Sequence, residues 1–161
     1  MNGMGSHQCN EMLSDEWFTP PEIIKDLGPF DLDPCTSEDR PWDTAKKHFT
    51  LQDNGLLQEW EGFVWCNPPY GNQTEDWLNR MVLHNNGIAL IFARTETKTF
   101  FQYVWKGASA IFFIKGRLTF YRIDGTIANH NGGAPSVLIA FGDTASEKLG
   151  KSKIKGKYIK L

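Results

Sequence analysis

Two adjacent prolines, Pro68 and Pro69, close the apolar run Phe63-Val64-Trp65-Cys66 and constrain the chain more than any other feature. Proline has no backbone N–H, fixes its own φ, and disfavours the α region for the residue before it. The apolar run therefore reads as a buried strand, and Asn67 and Pro68 are held extended at its end. Beyond the prolines, Trp77, Leu78, Met81 and Val82 form a helical stripe, which predicts a helix from about Gln73 to Leu83. Strand, stiff corner and helix make a βα unit, and open α/β sheets bind ligands in the crevice beyond the carboxyl ends of such strands. The corner fixes two acceptors close together, the Asn67 side-chain oxygen and the Pro68 carbonyl. Two rigid acceptors suit a planar –NH2 on a ring or carbonyl, and Tyr70 adds an aromatic face on which a ring can stack.

Such an amine is a poor nucleophile because its lone pair is delocalised. Two acceptors that hold both hydrogens pull the nitrogen toward tetrahedral geometry. They also stabilise the positive charge that grows as it attacks an electrophile. Asn67-Pro68-Pro69-Tyr70 resembles the catalytic motif of S-adenosylmethionine-dependent amino methyltransferases, above all the DNA adenine-N6 enzymes. Other segments extend the resemblance: Trp17-Phe18-Thr19-Pro20-Pro21, Phe30-Asp31-Leu32-Asp33-Pro34-Cys35, and Asp53-Asn54-Gly55-Leu56 with Trp60. Gly116-Arg117-Leu118-Thr119-Phe120 and Ala134-Pro135-Ser136-Val137 follow. Their order is that of small phage-type DNA adenine-N6 methyltransferases, from about Asp15 to Phe141.

The resemblance implies direct methyl transfer from S-adenosylmethionine to the N6 amine of a flipped adenine. Asn67, Pro68, Pro69 and Tyr70 are then catalytic. It implies that the Thr19-Pro20 corner meets the carboxylate end of the donor. Asp33, Pro34, Cys35, Asp53 and Asn67 complete the cofactor set. For Asp33 the alternative is a turn residue, and for Asp53 a cap. The family pattern Asp-Pro-x-x-Gly is broken after Pro34, where Cys35-Thr36-Ser37-Glu38-Asp39 has no glycine. Phe120 is the aromatic that would line the base pocket, with Tyr70 stacked on the base. Arg94 and Arg117 are candidates for phosphate, Arg117 because a guanidinium forks onto oxyanions. The bland readings are a solvated helix start for Arg94 and one more core aromatic for Phe120.

The expected fold is α/β: a compact, reduced Rossmann-like methyltransferase domain with a mostly parallel sheet and an antiparallel terminal hairpin. It is reduced because only about thirty residues, roughly one βαβ unit, separate the Asp33 strand from the Asn67 strand. Ile88–Ala93, Ala110–Ile114 and Ser136–Phe141 read as further strands, and Thr99–Trp105 as a helix. Thr19 is read as the N-cap of a helix with Pro20 at its first position. Residues 1–14 read as a flexible arm, 15–147 as the methyltransferase domain and 148–161 as a basic tail.

With a net charge of −2, composition does not advertise nucleic acid, so any DNA contact must be a local patch. The lysines of the tail are one such patch. Cys9, Cys35 and Cys66 lack metal spacing and read as reduced thiols of a cytoplasmic protein in a bacterial or phage-infected cell. No apolar run approaches a membrane span. The expected partner is DNA, with no membrane and no metal; a homodimer stays open. A glutamine amide of a protein or adenine in RNA would serve the same motif. A non-catalytic nucleic-acid-binding module is the third reading.

Overall fold

The structure is a computed structural model that describes residues 17–128 and 133–161. The expected arm, residues 1–14, lies outside the described residues, as do residues 129–132 of the loop before the last long strand.

In chain order the elements are α1 (Pro21–Leu27), β1 (Leu32–Asp33), β2 (Lys47–His48), β3 (Val64–Cys66), α2 (Thr74–His84) and β4 (Gly87–Phe92). Then come α3 (Lys98–Phe100), continued by a π-helical turn over Phe101–Trp105, β5 (Ala110–Ile114), β6 (Ser136–Phe141), α4 (Asp143–Gly150) and β7 (Gly156–Lys160). The seven strands form one sheet in the order β2-β1-β3-β4-β6-β5-β7.

Both faces of the sheet are covered, which is why its central strands are apolar throughout. Side chains alternate between the faces. Val64, Cys66, Ala89 and Ile91 pack with Trp77, Leu78 and Met81 of α2 and with Phe100 and Val104. Trp65, Ile88 and Leu90 pack on the other side with Ile23 and Leu27 of α1 and with Ala145 and Leu149 of α4. Asn85, left-handed at φ 52°, ends α2.

The sheet is not mostly parallel. β1–β2, β1–β3 and β3–β4 are parallel, but β4–β6, β5–β6 and β5–β7 are antiparallel and carry the longer ladders. Two causes shift the balance. The parallel strands β1, β2 and β3 are only two or three residues long. The stretch read as a basic tail instead completes α4 and supplies β7, which pairs with β5 over five residues. Lysines on an edge strand guard it against pairing with other chains, and they hide its strand character from a hydropathy reading. The expected pairing of Ser136–Phe141 with Ala110–Ile114 is present and antiparallel. Between β1 and β3 lie only β2 and turns, with no helix.

Thr19 is not the N-cap of α1. Pro20 holds that position, and no side chain caps the helix. Phe18 exchanges two backbone hydrogen bonds of 3.0 Å with Tyr121, which draws residues 17–19 out straight beside the Asn67 corner.

Candidate active site

The site is built at the carboxyl end of β3. A cavity of about 850 Å3 opens there, within the usual range for small-molecule sites. Its walls are Trp17, the loop Pro34–Glu38 after β1, the turn residues Thr50, Leu51 and Asn54–Leu56, the Asn67–Tyr70 corner, and Gln73 and Trp77.

The corner's oxygens are sorted by what they accept. The Cys35 thiol donates to the Asn67 carbonyl at 3.4 Å, and the Thr74 hydroxyl donates to the Pro69 carbonyl at 2.8 Å. Between them, the Pro68 carbonyl accepts no hydrogen bond from the described residues. The Asn67 amide nitrogen donates to the Trp17 carbonyl and the Thr19 hydroxyl, each at 3.4 Å. That turns its NH2 onto the 17–19 segment and leaves Oδ1 as the end of the amide open to a ligand. Thr19, buried, therefore orients Asn67.

Tyr70 is 45 % exposed and lies face to face on Phe92, with ring centroids 4.3 Å apart and planes 4° apart. Desolvation pushes its phenol up to about 12, so the hydroxyl stays neutral. The Arg94 guanidinium lies 5.8 Å from the centroid of the same Phe92 ring. Nothing in the sequence pattern singled out Phe92, which read as the end of a buried strand. Trp77 likewise reads as core from its place in the helical stripe. Yet it lines the cavity, and its indole N–H is buried without a partner. A buried donor with nothing to donate to costs about 1–3 kcal/mol.

Cys35 is a neutral thiol. The Cys66 sulfur 3.7 Å away and then burial push its pKa well above the ordinary range. It braces the corner and is no nucleophile.

Asp33 lies behind the cavity wall, 4 % exposed. It accepts from the Cys35 N–H at 3.2 Å and, closely, from the Thr44 hydroxyl. Burial raises its pKa to about 6 against these hydrogen bonds. A carboxyl with a raised folded pKa binds its proton more tightly when folded. Its stabilising contribution is complete below the unfolded pKa near 4 and is lost as pH rises through 6. Asp33→Asn should therefore gain on wild type by up to about 3 kcal/mol between pH 4 and 6, measured by denaturant unfolding at stepped pH. A difference that stays flat across that window rules out the buried carboxylate.

Asp53 accepts from the Thr50 N–H and hydroxyl at 2.7 and 3.1 Å and so closes the 50–53 turn. Its neighbour Asn54 is the one that lines the cavity. Gly55 is where this turn meets the Asp33-Pro34 loop: a Cβ there would lie 1.9 Å from the Pro34 carbonyl oxygen. Gly55→Ala should lower the thermal midpoint by roughly 2–12 °C, since overpacking costs about 1–3 kcal/mol and each kcal/mol is about 2–4 °C at this size. An unchanged midpoint in a melting scan would show that the two loops do not meet so closely.

Of the residues named from the sequence, Pro34, Cys35, Asn67, Pro68, Pro69 and Tyr70 line the cavity together. Thr19 reaches it through Asn67. Pro20 and Arg117 line a different groove. Phe120 is buried in the core and faces Trp17 edge-on at 6.3 Å. Arg94 is exposed beside α3, whose cap is Thr97: the Phe100 N–H donates to its hydroxyl at 3.2 Å.

A family model described as DNA N-6-adenine-methyltransferase (Dam) matches residues 6–155. The chain belongs to this family. It is thus an adenine-specific DNA methyltransferase, with DNA as substrate and a methyl donor as second reactant. Comparison with curated proteins and with solved structures gives no significant match. Among the described residues no helix is long and apolar enough to cross a membrane. Nor do they hold a group of three or more His, Cys, Asp or Glu side chains placed for a metal ion.

Proposed function

We propose that this DNA adenine methyltransferase takes its methyl group from S-adenosylmethionine and acts on an adenine swung out of the duplex, with Asn67 and Pro68 as the groups that hold the amine. One observation carries the reading. At the rim of a cavity large enough for both reactants, the Pro68 carbonyl and the Asn67 side-chain oxygen are two neighbouring acceptors that the described residues leave unclaimed.

When bound, the donor supplies a methyl group made electrophilic by its sulfonium. The chain's own residues do the rest. Asn67 Oδ1 and the Pro68 carbonyl accept the two N6 hydrogens. They draw the nitrogen lone pair out of the ring and offset the positive charge that develops on it. Thr19 and the Trp17 carbonyl keep the amide of Asn67 from rotating. Tyr70 supplies a stacking face whose far side rests on Phe92. The walls at Pro34–Glu38 and Asn54–Leu56 fit a donor that carries a nucleobase and a carboxylate.

The base must leave the stack, because inside the duplex its amine is paired and out of line with the donor. That costs a few kcal/mol, which stacking on Tyr70 at about 1–3 kcal/mol per base partly offsets. The family match favours DNA adenine over the glutamine-amide and RNA readings. Titration calorimetry of the protein with S-adenosylmethionine tests the donor. Saturable one-site binding supports it, and the absence of heat at any concentration removes it.

A further inference from the structure

A second hollow, about 460 Å3, lies on the other side of the 17–20 segment from the catalytic cavity. Two stretches of like sequence contribute to its lining through Ile114, Lys115, Arg117, Ile154 and Lys155. Ile114-Lys115-Gly116-Arg117 leaves β5, and Ile154-Lys155-Gly156-Lys157 enters β7. They run antiparallel, with Ile114 opposite Gly156, and the Lys115 N–H donates to the Lys155 carbonyl at 2.9 Å. The two lysines are thus set side by side. Both are exposed, and neither has a carboxylate partner among the described residues. Arg117 lines the same groove, against a single acid, Glu22. Like charges fixed as neighbours destabilise a sheet. In a chain of net charge −2, such a cluster calls for an anion.

The topology says which anion. β4 and β5 are both antiparallel to β6, so they run the same way. The carboxyl end of β5 and the start of β7 therefore share the sheet edge that carries Asn67. The 17–20 segment contributes to both hollows: Trp17 lines the catalytic cavity and Pro20 the groove. From β3, β5 is three strands away and β7 four, roughly 14–19 Å at about 4.8 Å per strand. Along the axis of a DNA duplex that is about four to six base pairs at roughly 3.4 Å each.

We propose that this groove is a phosphodiester site that grips the DNA backbone about four to six base pairs from the target adenine, with Lys115 and Lys155 as its paired charges. The proposal rests on the reading of the chain as a DNA enzyme and adds a site outside the catalytic cavity. The contact is independent of sequence, since phosphates carry none.

The test is the binding of a fluorescein-labelled duplex of mixed sequence, followed by anisotropy over a range of sodium chloride. Each lost phosphate contact lowers the slope of log Kd against log salt by about 0.9, so the double variant Lys115→Gln/Lys155→Gln should lose about 2. Lys160→Gln, at the far end of β7 opposite Ala110, should leave the slope as it is. An unchanged slope in the double variant overturns the groove, as does an equal loss in Lys160→Gln, which would mean diffuse charge. Methyl transfer by the wild type is measured alongside. If adenine is methylated and the slope does not move, only the groove is wrong. If the slope falls as expected but no methyl is transferred, the groove stands and the catalytic reading fails.

Discussion

Asn67→Ala should lower methyl transfer about 10²–10³-fold while leaving affinity for S-adenosylmethionine nearly unchanged. In the proposed mechanism the side chain offers the reacting nitrogen one of its two acceptors, and removing one preorganised partner of a developing charge costs about 10²–10³ in kcat. The loss should fall on kcat, because the interaction strengthens only as the amine becomes charged. The fold should survive. Asn67 donates only two long hydrogen bonds of 3.4 Å, and the corner's shape comes from its prolines and from Thr74. Single-turnover transfer of radiolabelled methyl, with calorimetry of the donor, separates the two effects. Turnover retained within a few-fold would remove Asn67 from the mechanism.

Tyr70 should follow a different rule. Its phenol oxygen has no hydrogen-bond partner among the described residues, and its pKa is pushed up to about 12, so the hydroxyl neither anchors nor titrates. What it offers is a flat ring held parallel to Phe92. Tyr70→Phe and Tyr70→Trp should therefore stay near wild type. Tyr70→Ala should lose about 1–3 kcal/mol of stacking, roughly 5- to 150-fold in kcat/KM for DNA. The discriminating result is the Phe variant: if it is as poor as Ala, the hydroxyl matters and stacking is the wrong role.

The central strands were legible in the sequence because burial on both faces leaves a continuous apolar run. Ala110–Ile114 and Ser136–Phe141 are read to the residue, and the strand at Ile88 to within one. The Asn67 corner was legible because two prolines leave the backbone little choice. The short strand at Leu32 was legible because Asp33-Pro34 closes it, but the one at Lys47 was not, since two residues carry no periodicity. β7 was hidden by its lysines, and with it the balance of parallel and antiparallel pairs. Long-range partners were the hardest to see. Thr19 looks like a helix cap until Tyr121, about a hundred residues on, pulls its segment across the corner. Phe92 and Trp77 read as core because hydropathy does not distinguish a ring facing a cavity from one facing a neighbour.

The most direct measurement is a crystal structure with a duplex containing the target adenine and S-adenosylhomocysteine, the demethylated donor. The adenine N6 should lie about 3 Å from both Asn67 Oδ1 and the Pro68 carbonyl, with Tyr70 parallel to the extruded base. An adenine left in the stack, or an N6 that meets neither oxygen, would contradict the account.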